Sequence, residues 1–287
     1  MQNDNYLMEN NEESLRLDIK TDSKTVENQA MWAGIKKGMR IADIGCGSGK
    51  TTSILYNLVQ PGGVAVGVDG SERRVEYAKK YYGVKGIEFK CKDISATLKN
   101  LGMFDFVWVR FLLEYYRSSS FDIVKNISEI VKPGGILCLI DLDHNCLNHF
   151  GLLPRLGRTI FAIMKYLEEN ANFDPYMGRK LYSFLYDLGY QDIDADVASH
   201  HLIFGELKDT DAFNWMKKFE VISRKIHFNY EEYEGGYEEF LEEFNRFFVN
   251  PRRFTYTPVI CCRGRKPCPL PTKILTAPQE KPFTHEL

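Results

Sequence analysis

Residues 41–50 read IADIGCGSGK, with Gly45, Gly47 and Gly49 alternating through the stretch. An apolar run enters it and a helix-like pattern leaves it, so it reads as the turn between a first strand and a first helix. Glycines there let the backbone approach a ligand closely, because no Cβ intervenes. Asp43 stands just inside the strand end, and Cys46 sits between the first two glycines. Two further acids close later apolar runs: Asp69, followed by Gly70, and Asp93, followed by Ile94. Carboxylates at successive strand ends can accept hydrogen bonds from a nucleoside. After the fourth and fifth apolar runs come Arg110, Glu114, Tyr115, Tyr116, Asp141, Asp143 and His144. An open α/β sheet binds its ligands at those strand ends. His144 has the unperturbed chemistry best suited to moving a proton near neutral pH. His144 and Tyr115 are the candidate catalytic residues.

Three ligands share this turn geometry. A dinucleotide fold uses GxGxxG, whereas the order here is GxGxG. A P-loop uses GxxxxGK[ST]; Gly49-Lys50-Thr51 matches its end, but Ile44 stands where the first glycine belongs. The third is S-adenosylmethionine (SAM), which has no phosphate and needs no lysine. Asp43 is poorly placed beside a triphosphate but acceptable beside a sulfonium and an ammonium.

The elements that must carry these residues follow from periodicity. Strands are expected over 39–44, 64–68, 87–91, 104–109 and 136–140. Helices are expected over 26–35, 51–59, the stretch after Ser71, and 121–131. Pro61-Gly62-Gly63 and Pro133-Gly134-Gly135 are turns. This alternation predicts an α/β fold: a doubly wound, mostly parallel seven-stranded sheet with helices on both faces. The second half carries helical stripes: Leu153–Leu167, Met177–Leu188, Ala212–Ile222 and Tyr237–Phe248. A sixth strand is expected over 193–198 and a closing strand over 254–262. The stripes predict a helical cap and, most simply, plain core. Residues 1–37 are expected to form an N-terminal helical or lid segment, with Tyr6, Leu7, Leu15 and Leu17 as apolar anchors. Residues 38–208 form the core, with a helical insertion near 145–172. A cap insertion spans 209–250, a closing strand 251–264, and an irregular, proline-bearing tail 265–287.

Composition narrows the class. The chain has 287 residues, 44% of them hydrophobic and 13% aromatic, which suits a globular protein with one sizeable core. A net charge of −2 gives no general attraction for nucleic acid or anionic membranes. The seven cysteines are scattered with no CxxC pair. They suggest neither a zinc site nor a disulfide framework, but idle thiols in a reducing cytoplasm. The polar N-terminus does not read as a signal peptide, and no apolar run is long enough to span a membrane.

The motifs in their order resemble class I SAM-dependent methyltransferases of the small-molecule type. IADIGCGSGK resembles the first motif, VGVDGS (66–71) the second, FKCKDI (89–94) the third, FDFVWVRFLLEY (104–115) the fourth, and KPGGILCLI (132–140) the strand after the helix. The likeness covers roughly residues 38–141 and continues more weakly through FDPYMGRKLYSFLYDLGY (173–190). It implies that Asp43, Gly45, Cys46, Gly47 and Gly70 line the SAM site and that Asp69 accepts both ribose hydroxyls. Asp93 and Ile94 would meet the adenine, Asp93 accepting from its exocyclic amine. Arg110 would hold the amino group through its backbone, and Arg16 would reach the carboxylate. Asp69 and Asp93 could instead cap local turns, and Arg16 could lie on the surface. The implied reaction is in-line methyl transfer to an O, N or C nucleophile, leaving S-adenosylhomocysteine (SAH), with no metal assigned. The sequence after strand four, Val109-Arg110-Phe111-Leu112, is not NPPY-like and disfavours amide or adenine amines. The aromatic-rich insertions predict a small, apolar or aromatic methyl acceptor, no nucleic-acid partner, and a homodimer through the cap. The alternatives are a methyltransferase acting on RNA or protein, a P-loop-like nucleotide-binding protein, or a non-catalytic SAM-binding subunit.

Overall fold

The computed structural model describes residues 13–268. Residues 1–12, with Tyr6 and Leu7, and the tail from 269 onward lie outside that range. The chain opens with two helices, α1 (Glu13–Lys20) and α2 (Ser23–Ala33). Asp22 caps α2 by accepting from the Thr25 N–H, and Gly34, at φ 96°, ends it. The segment expected to be helical or a lid thus contributes two helices among its described residues.

Strands and helices then alternate: β1 (Arg40–Ile44), α3 (Lys50–Leu58), β2 (Val64–Asp69), α4 (Glu72–Tyr82), β3 (Ile87–Cys91), β4 (Phe104–Arg110), α5 (Ser120–Ser128) and β5 (Val131–Leu142). These five strands are parallel in the order β3-β2-β1-β4-β5. The order reverses between β1 and β4, which is where such a sheet opens a crevice for a ligand. The second half adds β6 (His149–Phe150), α6 (Pro154–Asn170), α7 (Leu181–Asp187), β7 (Gln191–Phe204), α8 (Asp209–Lys225), α9 (Gly236–Val249) and β8 (Phe254–Arg265). Strand β8 runs antiparallel between β5 and β7. The sheet thus has the expected full-length strands plus the two-residue β6, which pairs with Phe254 and Thr255 of β8. Strand β7 is longer than its sequence pattern suggests, because β8 pairs with it from Arg265 to Phe254. Its side chains are mostly exposed, so periodicity gave little sign of its length.

Alternation along the strands sends side chains to two faces. Phe106, Trp108, Ile136 and Cys138 pack against α2 and α3 on one face, with Val26, Ala30 and Leu55. Val107, Val109, Leu137 and Leu139 pack against α5 and α7 on the other, with Ile123, Ile127 and Leu181. A separate core joins α6, α8 and α9 around Trp215, Phe219, Phe240, Phe244 and Phe248. The stripes of the second half are therefore core, and they stand beside the carboxyl ends of β4 and β5. No helix among the described residues is long and apolar enough to cross a membrane.

Candidate active site

The glycine turn is tied to the neighbouring strand before any ligand is considered. Gly45 N–H and Cys46 N–H both donate to the Val68 carbonyl, at 2.8 and 3.0 Å. Gly47 N–H donates to Asp69 Oδ2 at 2.9 Å. All three glycines have positive φ, at 80°, 53° and 87°. Gly49 starts α3, and a Cβ on it would stand 2.7 Å from Ala78 Cβ and 2.9 Å from the Phe89 ring. It therefore lets the turn pack closely against α4 and β3, the task of the last glycine in a dinucleotide turn. Helix α1 lies over the turn. A Cβ on Gly47 would meet Leu17 Cδ1 at 2.9 Å. The Lys50 ammonium donates to the Asp18 carbonyl at 2.8 Å, and Tyr82 hydrogen-bonds the Asp18 carboxylate. Lys50, which a P-loop would turn onto phosphate, is thus spent on holding α1 and is not among the residues that line the cavity.

The cavity at the switch point encloses about 1100 Å³ of empty space, part of it open to solvent. That is ample for a nucleoside-sized ligand. Its wall includes Asp43, Gly45, Cys46 and Gly47 from the turn, Asp69 and Gly70 from the end of β2, and Ile94 after β3. Arg110 and Tyr115 enter after β4, and Arg16 from α1. Arg16 is buried and paired with Glu13 at 2.7 Å, so it is not a surface arginine. Asp93 and His144 do not line this cavity. The exposed Asp93 carboxylate accepts from Ser95 N–H and its hydroxyl, capping a local turn. His144 stands beside Asp143 at 3.1 Å and Arg179 at 3.0 Å, its side chain 41% exposed.

The buried carboxylates differ in their hydrogen-bond partners. Asp69 Oδ1 accepts from Ser71 N–H and Arg74 Nε, each at 2.9 Å, while Oδ2 takes only the Gly47 N–H. One acceptor position on Oδ2 remains free of these partners. Asp43 accepts from Thr52 Oγ1 at 2.6 Å, and burial pushes its carboxyl up to about 7. The Arg110 guanidinium lies 4.0 Å from the centre of the Phe111 ring, and its Nε has no hydrogen-bond partner in the structure. Burial brings that group down to about 10. The side chain, and not only the backbone of Arg110, faces the site. Phe111, His144 and Cys146 have left-handed backbones at φ 55°, 48° and 64°, concentrating strain after β4 and β5.

A second cavity, with about 460 Å³ of empty space, adjoins the first and shares Arg16, Lys20, Glu114 and Tyr115 with it. Leu142, Met164, Leu167, Phe173 and Ile222 give it an apolar wall, and Asn145, Cys146 and Lys218 a polar one. Asn145 Nδ2 donates to Glu114 Oε2 at 2.8 Å. Glu114 is held above the usual carboxylate range, chiefly by burial, against the pull of Lys218 and Lys20. Sequence reasoning did not single out Lys20, Lys218, Arg74 or His200, which lines the first cavity. The one available signal was Lys218, a cation beside the apolar stripe of α8.

Known proteins place this geometry. Residues 35–185 match the family described as "Methyltransferase domain". A demethylmenaquinone methyltransferase from Lactococcus lactis is 34% identical over 153 residues, covering 48% of this chain and 60% of that protein. The chain spans about half the length of the curated relatives it matches. Among solved structures, the YcgJ protein of Bacillus subtilis superposes with a TM-score of 0.56 at 15% identity, covering 86% of this chain and 99% of that one. Phosphoethanolamine N-methyltransferase 2 of Haemonchus contortus, bound to phosphomonomethylethanolamine and SAH, superposes with a TM-score of 0.55 at 14% identity, covering 88% and 57%. At those identities the superpositions speak for the fold alone.

Proposed function

The chain belongs to the methyltransferase-domain family, with the fold of the class I SAM-dependent enzymes, and from that premise we propose that it transfers a methyl group from SAM to a small, largely apolar molecule. The observation that carries this reading is the second cavity, lined largely by apolar side chains and sharing Glu114 and Tyr115 with the first. A pocket of that size, walled by Leu142, Met164, Leu167, Phe173 and Ile222, suits a compact acceptor better than a polymer. The Lactococcus relative is named for demethylmenaquinone, itself a small-molecule acceptor.

The residues present fit SAM. Asp43 and Asp69 supply negative character near a cationic ligand, and the glycine turn leaves room for close approach. Asp69 Oδ2 keeps one acceptor position for a ribose hydroxyl. Arg110 Nε is a buried donor without a partner, suited to a carboxylate. Ile94 offers an apolar wall to the base. When bound, SAM supplies a methyl group on a sulfonium, already electrophilic. The protein's task is to align the acceptor and exclude water. Helix α1 covers the glycine turn, and the core of α6, α8 and α9 walls the acceptor side. Among the described residues Glu114 is the one carboxylate lining both cavities. Its raised pKa suits it to take a proton from an acceptor that must lose one. His144 lines neither cavity and stands beside Asp143 and Arg179.

The test offers the protein methyl-labelled SAM with three fractions of a cell extract: small molecules, RNA and protein. Label is expected in the small-molecule fraction. Label in protein, or in RNA with a yield that falls steeply with added salt, would overturn the reading.

A further inference from the structure

The second cavity holds more positive charge than its apolar wall requires. Lys20 and Lys218 both line it, and among the described residues neither ammonium forms an ion pair. The nearest partner of Lys218 is the Cys146 sulfur at 3.8 Å, with the Trp215 ring centre at 5.0 Å. Burial pushes the Cys146 thiol up, so it supplies no counter-charge. Lys20 lies 5.4 Å from the centre of the Phe111 ring. The remaining charges are accounted for. Arg16 is paired with Glu13. Asp141 is fully buried, and burial followed by the charge of Glu114 holds it well above the ordinary carboxylate range. Glu114 alone stands against two ammonium groups, and its Oε2 is already taken by Asn145. Burial, followed by repulsion from Lys218 and Arg16, lowers the Lys20 pKa well below its usual value. A cation in that position gains from any anion that enters.

We propose that the second cavity takes an apolar monocarboxylate, with Lys20 and Lys218 holding its carboxylate and the Leu142, Met164, Leu167, Phe173 and Ile222 wall covering its body. This rests on the small-molecule reading of that cavity and names the class of acceptor. Two lysines and one carboxylate, Glu114, line this cavity, and a carboxylate ligand answers that excess of basic groups. A carboxylate is already ionised at neutral pH, so it brings that charge without losing a proton in the site. The apolar side chains lining the same cavity supply the rest of the affinity by burial. Lys20 borders both cavities, which places the held carboxylate at their junction.

Calorimetric titration of the SAH-saturated protein tests this with matched pairs: 3-phenylpropanoate against 3-phenylpropanamide, and octanoate against octanamide. Each carboxylate is expected to bind at least about tenfold more tightly than its amide, the scale of one charge-assisted hydrogen bond. Lys218→Met and Lys20→Met should each remove most of that preference, and Lys218→Arg should keep it. SAH affinity of the Lys218 variants serves as the check that they are folded. Equal binding of acid and amide to the wild-type protein overturns the carboxylate proposal and leaves the small-molecule reading standing. Lys218→Met that binds SAH normally and keeps the preference overturns it as well. If SAH binds but neither member of either pair does, the proposal and the small-molecule reading fall together.

Discussion

Arg74 Nε donates to Asp69 Oδ1 at 2.9 Å, and both side chains are almost fully covered. The acid at the end of β2 is therefore part of a buried pair before any ligand arrives. Ser71 caps α4 by accepting from the Arg74 N–H, so the cap and the ion pair together fix the carboxylate. Preorganisation of this kind reduces what a ligand must spend on ordering the site.

Asp69→Ala should lower SAH affinity by roughly tenfold or more, the usual worth of hydrogen bonds to a charged acceptor. It should also cost about 3–5 kcal/mol of stability, because the buried Arg74 loses the carboxylate it is paired with. The double variant Asp69→Ala/Arg74→Met should recover part of that stability and none of the affinity. Calorimetry and denaturant melts read the two effects separately; recovered affinity in the double variant would refute the assignment of Asp69 to the ligand.

Asp43 carries a pH signature. Its folded carboxyl is pushed up to about 7 by burial, against about 3.9 in an unfolded chain. The folded state therefore binds the extra proton between those values. The stability this contributes is complete below about pH 4 and is lost as pH rises through about 7. Asp43→Asn keeps an acceptor for Thr52 Oγ1 and removes the titration. The melting temperature of Asp43→Asn minus that of the ligand-free wild type should rise from pH 5 to pH 8. A flat difference across that window would show that Asp43 ionises normally.

Gly49→Ala should unfold the turn more readily than it blocks the ligand. Its φ of 87° disfavours any Cβ, and that Cβ would also meet Ala78 and Phe89 inside 3.0 Å. Left-handed strain and overpacking together should cost roughly 2–4 kcal/mol in denaturant melts. Gly47→Ala meets only the end of the flexible Leu17 side chain. It should cost less stability and show itself in SAH affinity.

His144→Ala should leave SAH affinity and 3-phenylpropanoate affinity within about twofold of wild type, as substitutions away from a site usually do. Glu114→Gln should remove the pH dependence of any turnover that requires a proton to leave the acceptor. A loss of binding in His144→Ala would bring that residue back into the site.

Much of this was written in local pattern. The glycine turn, the strand–helix alternation and the acids at strand ends follow from backbone geometry and hydrophobic period, so Asp43, Gly45, Gly47 and Asp69 were named from sequence and line one cavity. The family resemblance rests on the same local features. What only the folded chain decided depends on long-range neighbours. Asp69 ends β2 and Asp93 follows two residues after β3, yet Asp69 meets Gly47 and Arg74 while Asp93 turns to Ser95. Arg16 was named from the family resemblance, whereas Lys20, in the same polar N-terminal stretch, gave no sign of a role until α1 settled over the turn. Lys218 is separated by nearly the whole domain from Glu114, and only the packing of α8 beside the β4 and β5 ends brings their charges together. Sequence spacing sets which residues share a face of one element. Which faces meet, and therefore which charges must share one desolvated space, is settled by tertiary packing alone.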